Sequence, residues 1–349
     1  MVILALAMRC LVVGVLVAGA CGASHQATPG DGSNPIDGPT STGSDAGVDA
    51  AWDWQPLISN DWMEAAGQSN VRCKLVPITQ EMWIDGFRPA AAMDPTNDHQ
   101  FVIVTPDTTG CGNMVDRPLQ PEDELIYAAG LGDAQLAFPT GTAVHVTPKN
   151  AANQNLNLVL YDHLSNEGSA AVSGTSAIEV HYVADPTTVA HEVDMVLGGN
   201  GATWNVPAND QPTPITGQCF PTTAAGYQWH VVAVWPHMHE SGQHVTVSIS
   251  SAGQTTPIFD AAYDYQHEGT YVVPDTLVDT GAELDVRCTL ANANPVALSY
   301  DEIMPEPDGK TVCWTGIYKY PTGTDPNKTG HTPYGPEACV TGLTGQPVQ

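Results

Sequence analysis

His244-Val245-Thr246-Val247-Ser248-Ile249-Ser250 alternates with a period of two, so an extended chain carries Val245, Val247 and Ile249 on one side and polar residues on the other. That is the pattern of a half-buried strand. Leu284, Val286 and Cys288 repeat it against Asp285 and Arg287, as do Ile178, Val180 and Tyr182 against Glu179 and His181. Phe101 to Val104 is continuously apolar, which suits a strand covered on both faces. Helical periodicity is confined to short stretches near Trp62 and Glu124. With 33 Gly and 28 Pro punctuating many short strands, the sequence predicts an all-β chain built of sandwiches. A Gly/Pro/Asn/Asp-rich stretch from Gly198 to Thr216 separates two such regions.

The chain has 349 residues, and 10 basic against 38 acidic side chains give a net charge of −28 at neutral pH. This excludes a nucleic-acid binder driven by phosphate neutralisation and favours neutral or cationic partners, metal cations among them. The length suits two domains better than one.

Val2 to Ala20 is an apolar run broken by Arg9, ending in Ala18-Gly19-Ala20 before Cys21. A run of this length is also able to span a bilayer. Small residues against a Cys favour an export signal. Residues 1–21 resemble the bacterial lipoprotein signal, in which that Cys becomes the lipidated first residue, although the usual Leu three positions before it is Ala18 here. Residues 22–53, rich in Gly, Ser, Thr, Pro, Ala and Asp and free of Lys and Arg, form an acidic disordered tether. The expected location is the bacterial cell envelope, with a lipid at Cys21 as the membrane contact.

Besides Cys10 and Cys21 the body carries Cys73, Cys111, Cys219, Cys288, Cys313 and Cys339. In an exported chain these suggest three disulfides, for which 15 pairings exist. No CxxC occurs, which argues against a thiolate zinc site.

No GxSxG, P-loop, HExxH or dinucleotide fingerprint is present, so the chemistry rests on the histidines. Pro236-His237-Met238-His239 is the most specific feature. Residues two apart on a strand share a face, so His237 and His239 can present both imidazoles to one ion, and Pro236 suits a sheet edge. Neutral imidazoles suit copper or zinc; two solvated histidines on an edge strand are the plainer alternative. His163 shares a strand face with Val159 and Tyr161, as a core histidine would, and His99 stands at the mouth of the apolar Phe101 strand. His230, His244 and His267 lie near the pair in sequence without a pattern of their own.

The order of these motifs from Cys73 to Pro321 resembles the copper type II, ascorbate-dependent monooxygenases, the family of dopamine β-monooxygenase and peptidylglycine α-hydroxylating monooxygenase. His99-Gln100-Phe101-Val102 falls where that family has a His-His pair, Leu158 to Asn166 resembles the strand bearing the third His, and His237-Met238-His239-Glu240-Ser241-Gly242 matches His-x-His-x-x-Gly. Ser173 to Val180, His191 to Cys219, and Cys313 with Tyr320-Pro321 resemble the connecting and closing segments. The resemblance implies two tandem antiparallel, jelly-roll-like β-sandwich domains, 54–195 and 196–349, whose facing surfaces hold one copper each. It implies disulfides Cys73–Cys111, Cys219–Cys339 and Cys288–Cys313. It also implies an oxygen-binding copper on His237 and His239, a relay copper on His99 and His163, ascorbate as reductant, and a small organic substrate hydroxylated at an aliphatic carbon with O2 by a monomer.

The departures from the family are specific. Val312 stands where a Met ligand precedes the Cys, and Met304, upstream in Asp301-Glu302-Ile303-Met304, substitutes for it only if that loop folds back. Gln100 replaces a relay His, and a Gln carbonyl is a poor ligand for Cu(I). Trp235 and Gly316 occupy positions where the peptide-amidating branch has its carboxylate-gripping Arg and Tyr, which argues against peptide amidation. Trp229, Trp235 and Trp314 are candidates to line an apolar cleft. A non-catalytic or single-copper-binding descendant is therefore the alternative reading.

Overall fold

The strands follow from side-chain alternation. In β1 (Gln55–Glu64), Ile58, Asn60, Trp62 and Glu64 are buried while the residues between them are exposed. The structure, a computed structural model, describes residues 52–108, 111, 123–132, 135–202, 204–219, 228–300 and 309–322, together with the backbone of 339–341. The signal with Cys21, the tether up to residue 51, and Met304 lie outside the described residues.

The described residues form an all-β structure with two short 3₁₀ turns, Pro186–Thr188 and Tyr265–His267, and none of their helices is long and apolar enough to cross a membrane. The helical stretches expected near Trp62 and Glu124 are strands instead, β1 and β5 (Glu124–Gly130). In β5 the apolar run is buried on both faces, and such a run carries no period that separates strand from helix.

The first sheet has the order β1, β9 (Val172–Tyr182), β3 (Met82–Pro89), β7 (Thr142–Val146), β10 (His191–Glu192), with β6 (Leu136–Ala137) also on β3. The second sheet is β2 (Gln68–Pro77), β8 (Asn157–Asn166), β4 (Asn97–Thr105), β5. From Asp194 onward the chain builds a third sheet, β16 (Tyr271–Val278), β13 (Gln228–His237), β20 (Trp314–Thr322), β11 (Asp194–Asn200), β21 (Cys339–Thr341). The fourth is β12 (Pro212–Cys219), β17 (Glu283–Ala291), β14 (Gly242–Ser251), β15 (Gln254–Ala262). A small parallel pair, β18 (Ser299–Tyr300) and β19 (Lys310–Thr311), completes the set. Pairing is antiparallel except in that pair, β7 with β10 and β11 with β21. The change of sheet falls at Val193, so the Gly198–Thr216 stretch lies within the second region and includes parts of β11 and β12.

Two cores hold these small sheets together. The first takes Ile84, Phe87 and Val180 from the first sheet and Phe101, Val159 and Tyr161 from the second, and continues onto the third through Met195, Trp235, Trp314 and Tyr318. Sheet two is thus covered on both faces, which is why every residue of β4 is buried. The second core, with Trp229, Val234, Val247, Val286 and Ile317, lies between sheets three and four. The halves share apolar surface rather than meeting across water, and the strand order does not spell out two jelly rolls.

Cys73–Cys111 and Cys288–Cys313 are disulfides. Cys219 is disulfide-bonded too; the side chain of Cys339 lies outside the described residues, while its backbone on β21 is beside the third sheet's β11.

Candidate metal centre

His99 on β4 and His163 on β8 are cross-strand partners, so their side chains leave the same face of sheet two, the face covered by sheet three. The register slips between Asn97 and His99, which makes Asp98 the extra residue of a β-bulge. A bulged residue is released from strict alternation, and Asp98 turns its carboxylate to the same side as the two histidines.

A second bulge aims the other pair. Along β13, Trp229 and Val231 face the second core, the register shifts between Val231 and Ala233, and thereafter Val234 and Met238 face that core while Ala233 and Trp235 face sheet two. The shift by one residue turns His237 toward sheet two. Strand β13 ends there, and His239 follows in a turn closed by the Gly242 N–H donating to its carbonyl at 2.9 Å. A Cβ at Gly242 would stand 2.5 Å from the Tyr263 ring, so the turn needs glycine. Pro236 costs no ladder bond on the β16 side, because pairing with β16 stops at Val234.

All four histidines therefore meet at one place, where sequence reading had put two sites on facing surfaces. Ring centroids are 4.8 Å apart for His99 and His163, 5.6 Å for His237 and His239, 4.5 Å for His99 and His237, and 6.5 Å for His163 and His239. None of the four is more than 4% exposed. Two groups, Asp98-His99-His163 and Asp98-His237-His239, each place one ligand atom per residue within 4.8 Å of one another.

Buried carboxylates orient these rings. Asp98 Oδ2 lies 3.0 Å from His163 Nδ1, 3.2 Å from His99 Nδ1 and 3.7 Å from His239 Nε2, and the Tyr265 hydroxyl donates to its Oδ1. Ser69 Oγ faces His163 Nε2 at 3.3 Å. Glu268 Oε1 lies 3.1 Å from His237 Nδ1 and also meets the Tyr263 hydroxyl. His237 Nε2, anchored from behind in this way, is buried with no hydrogen-bond partner among the described residues. A ring held at Nδ1 by a carboxylate with Nε2 open is the arrangement of a metal-ligating histidine.

Glu268 and Tyr265 come from the turn 264–268, capped by the Asp264 carboxylate accepting the Gln266 N–H. The turn sits on the end of β5. A Cβ at Gly130 would approach Glu268 Oε2 to 1.7 Å, and one at Gly132, whose φ is +75°, would lie 2.6 Å from the Gln266 carbonyl.

The electrostatics favour ligands in their binding forms. Burial lowers His99 to about 4 and holds His237 well below the usual imidazole range, so both are neutral at pH 7. For Asp98, burial acts upward, but hydrogen bonds from His163 and His99 with the charge of His239 outweigh it and keep the carboxyl well below its ordinary value. Imidazole nitrogens with one carboxylate fit copper or zinc, and the uncapped His237 Nε2 fits a bound ion.

The remaining expected residues lie elsewhere. Gln100 points to the opposite face of β4, where its amide donates to Asp162 at 3.1 Å in a polar cluster with Asn60 and Asn97. It does not join the histidines. Val312 is fully buried beside the Cys313 disulfide. Trp229, Trp235 and Trp314 fill the cores instead of lining a cleft; Trp235 stacks on His237 at 4.8 Å. Gly316 is packed under Met195, whose terminal carbon would lie 2.0 Å from an added Cβ. His230, His244 and His267 pair with Asp275, Asp260 and Asp264 away from the centre. Asp98, Glu268, Tyr263 and Tyr265 were not singled out from sequence. Asp98 adjoins His99, which was a usable signal, whereas nothing local marks Glu268.

No family model matches the sequence, and no curated protein matches it. Among solved structures, PNGase F, a glycosylasparaginase from Flavobacterium meningosepticum, aligns over 77% of this chain and 96% of its own at 9% identity with a TM-score of 0.32. A recombinant N-glycanase F aligns over 82% and 97% at 9% identity with a TM-score of 0.34. The major capsid protein P2 of bacteriophage PM2 aligns over 77% and 99% at 12% identity with a TM-score of 0.30.

Proposed function

We propose that this chain is an exported copper-binding protein whose metal is held by His99, His163, His237 and His239 around Asp98. The observation that carries the reading is the convergence of four buried imidazoles from both halves of the chain, with His237 Nε2 open and its Nδ1 anchored on Glu268. Bound copper would supply one-electron chemistry. Asp98 and Glu268 fix the imidazole orientations, and the packed rings of Trp235 and Phe101 keep water out. Each half is read as one β-sandwich, 54–195 and 196–349, and the lipid at Cys21 as the anchor to the cell envelope.

Of the two activities, the non-catalytic copper-binding one is favoured here, because the histidines of the two expected sites share one enclosed centre. The copper monooxygenase reading, with O2, an ascorbate-like reductant and a small organic substrate, is supported by the order of the motifs and by the His pair contributed from each half. The test is copper titration of the tag-free body with His237→Ala as control, followed by ascorbate-dependent oxygen uptake. Tight copper lost in His237→Ala without oxygen uptake fits the first reading, oxygen uptake by the loaded protein replaces it with the second, and no tight copper ends both.

A further inference from the structure

We propose that Asp98 joins the two histidine pairs into one dinuclear centre, a carboxylate shared between two ions; this deepens the copper-binding reading and rests on it. The two candidate ligand groups have Asp98 in common, one completed by His99 and His163 and the other by His237 and His239. Oδ2 stands 3.0 and 3.2 Å from nitrogens of the first pair and 3.7 Å from a nitrogen of the second. With an ion in place of the Nδ1 protons that make these hydrogen bonds, the spacings match the edges of a coordination shell with metal–nitrogen bonds of about 2.0–2.1 Å, for which neighbouring donors are roughly 3.3 Å apart.

The His99 and His237 rings are 4.5 Å apart between centroids, so the two groups that share Asp98 lie side by side. The Tyr265 hydroxyl on Oδ1, delivered by the turn 264–268, holds the carboxylate between the pairs. Asp98 is placed for this by its own bulge, which neither a regular strand nor a carboxylate serving His99 alone requires.

The test is Cu(II) loading of the intact chain, with metal content measured per chain and electron paramagnetic resonance recorded on the same sample. The expected result is two coppers per chain whose spins interact, seen as a half-field transition or as intensity below that of two isolated ions. Asp98→Asn should remove the interaction or cut the stoichiometry to one. One copper per chain in the unmodified protein, or two with the full signal of isolated ions, overturns the shared centre and leaves the copper-binding reading standing. No copper at all overturns that reading itself. Stoichiometry and spin coupling are both read on the unmodified chain, so they decide the matter even if Asp98→Asn fails to fold.

Discussion

Glu268 is 2% exposed, carries a carboxylate into the interior, and spends it on His237 and Tyr263. Replacing a metal ligand's supporting carboxylate lowers affinity by about 10- to 100-fold. Glu268→Gln, which keeps the shape and loses the charge, should weaken copper binding by that factor in a competition titration. An unchanged affinity would make Glu268 a packing residue. The histidines also set a pH dependence in the metal-free protein. His99 is lowered from an ordinary 6.5 to about 4, so between those values the unfolded chain binds a proton that the native one refuses. Stability should therefore fall as pH drops from 6.5 toward 4, and His237, lowered by burial as well, acts with the same sign. Urea midpoints of metal-free protein across that range read the effect, and His99→Gln should flatten it.

Strand β5 ends in Gly130, which leaves room for Glu268, and is followed by Gly132, which leaves room for Gln266. Gly130→Ala puts a methyl where the carboxylate is. Overpacking of this kind costs about 1–3 kcal/mol, and the displaced Glu268 should lower copper affinity in parallel. Loss of stability with copper affinity intact would show that the turn 264–268 and the centre are independent. The bulge in β13 acts in the same direct way. Without the register shift between Val231 and Ala233, the residues after it would exchange faces, and Met238 rather than the histidines would face sheet two.

The first core runs from sheet one through sheet two onto sheet three, so the halves cannot part without exposing Trp235, Tyr318 and Phe101. Calorimetry of the metal-free body should show one cooperative transition rather than two. Copper that binds only the folded chain adds about 2.7 kcal/mol at a free concentration 100 times Kd, so the transition should move upward with copper and return with a chelator. Two transitions, with copper shifting one alone, would place the metal within a single half.

The all-β class, the covered strand at Phe101 and the half-buried strands at Val245 and Leu284 were legible from the order of residues, because side-chain period is a local property of an extended chain. His99, His163, His237 and His239 were also legible as candidates. Gln100, a doubtful ligand from sequence, neighbours His99 on the strand and so points to the other face. The convergence of the four histidines on one carboxylate was not legible. It depends on two bulges, on sheet two lying against sheet three, and on a turn 169 residues beyond His99 in sequence that brings Glu268 to His237. Period fixes which residues share a face of one strand, whereas which faces meet is decided by the packing of sheets far apart in the chain.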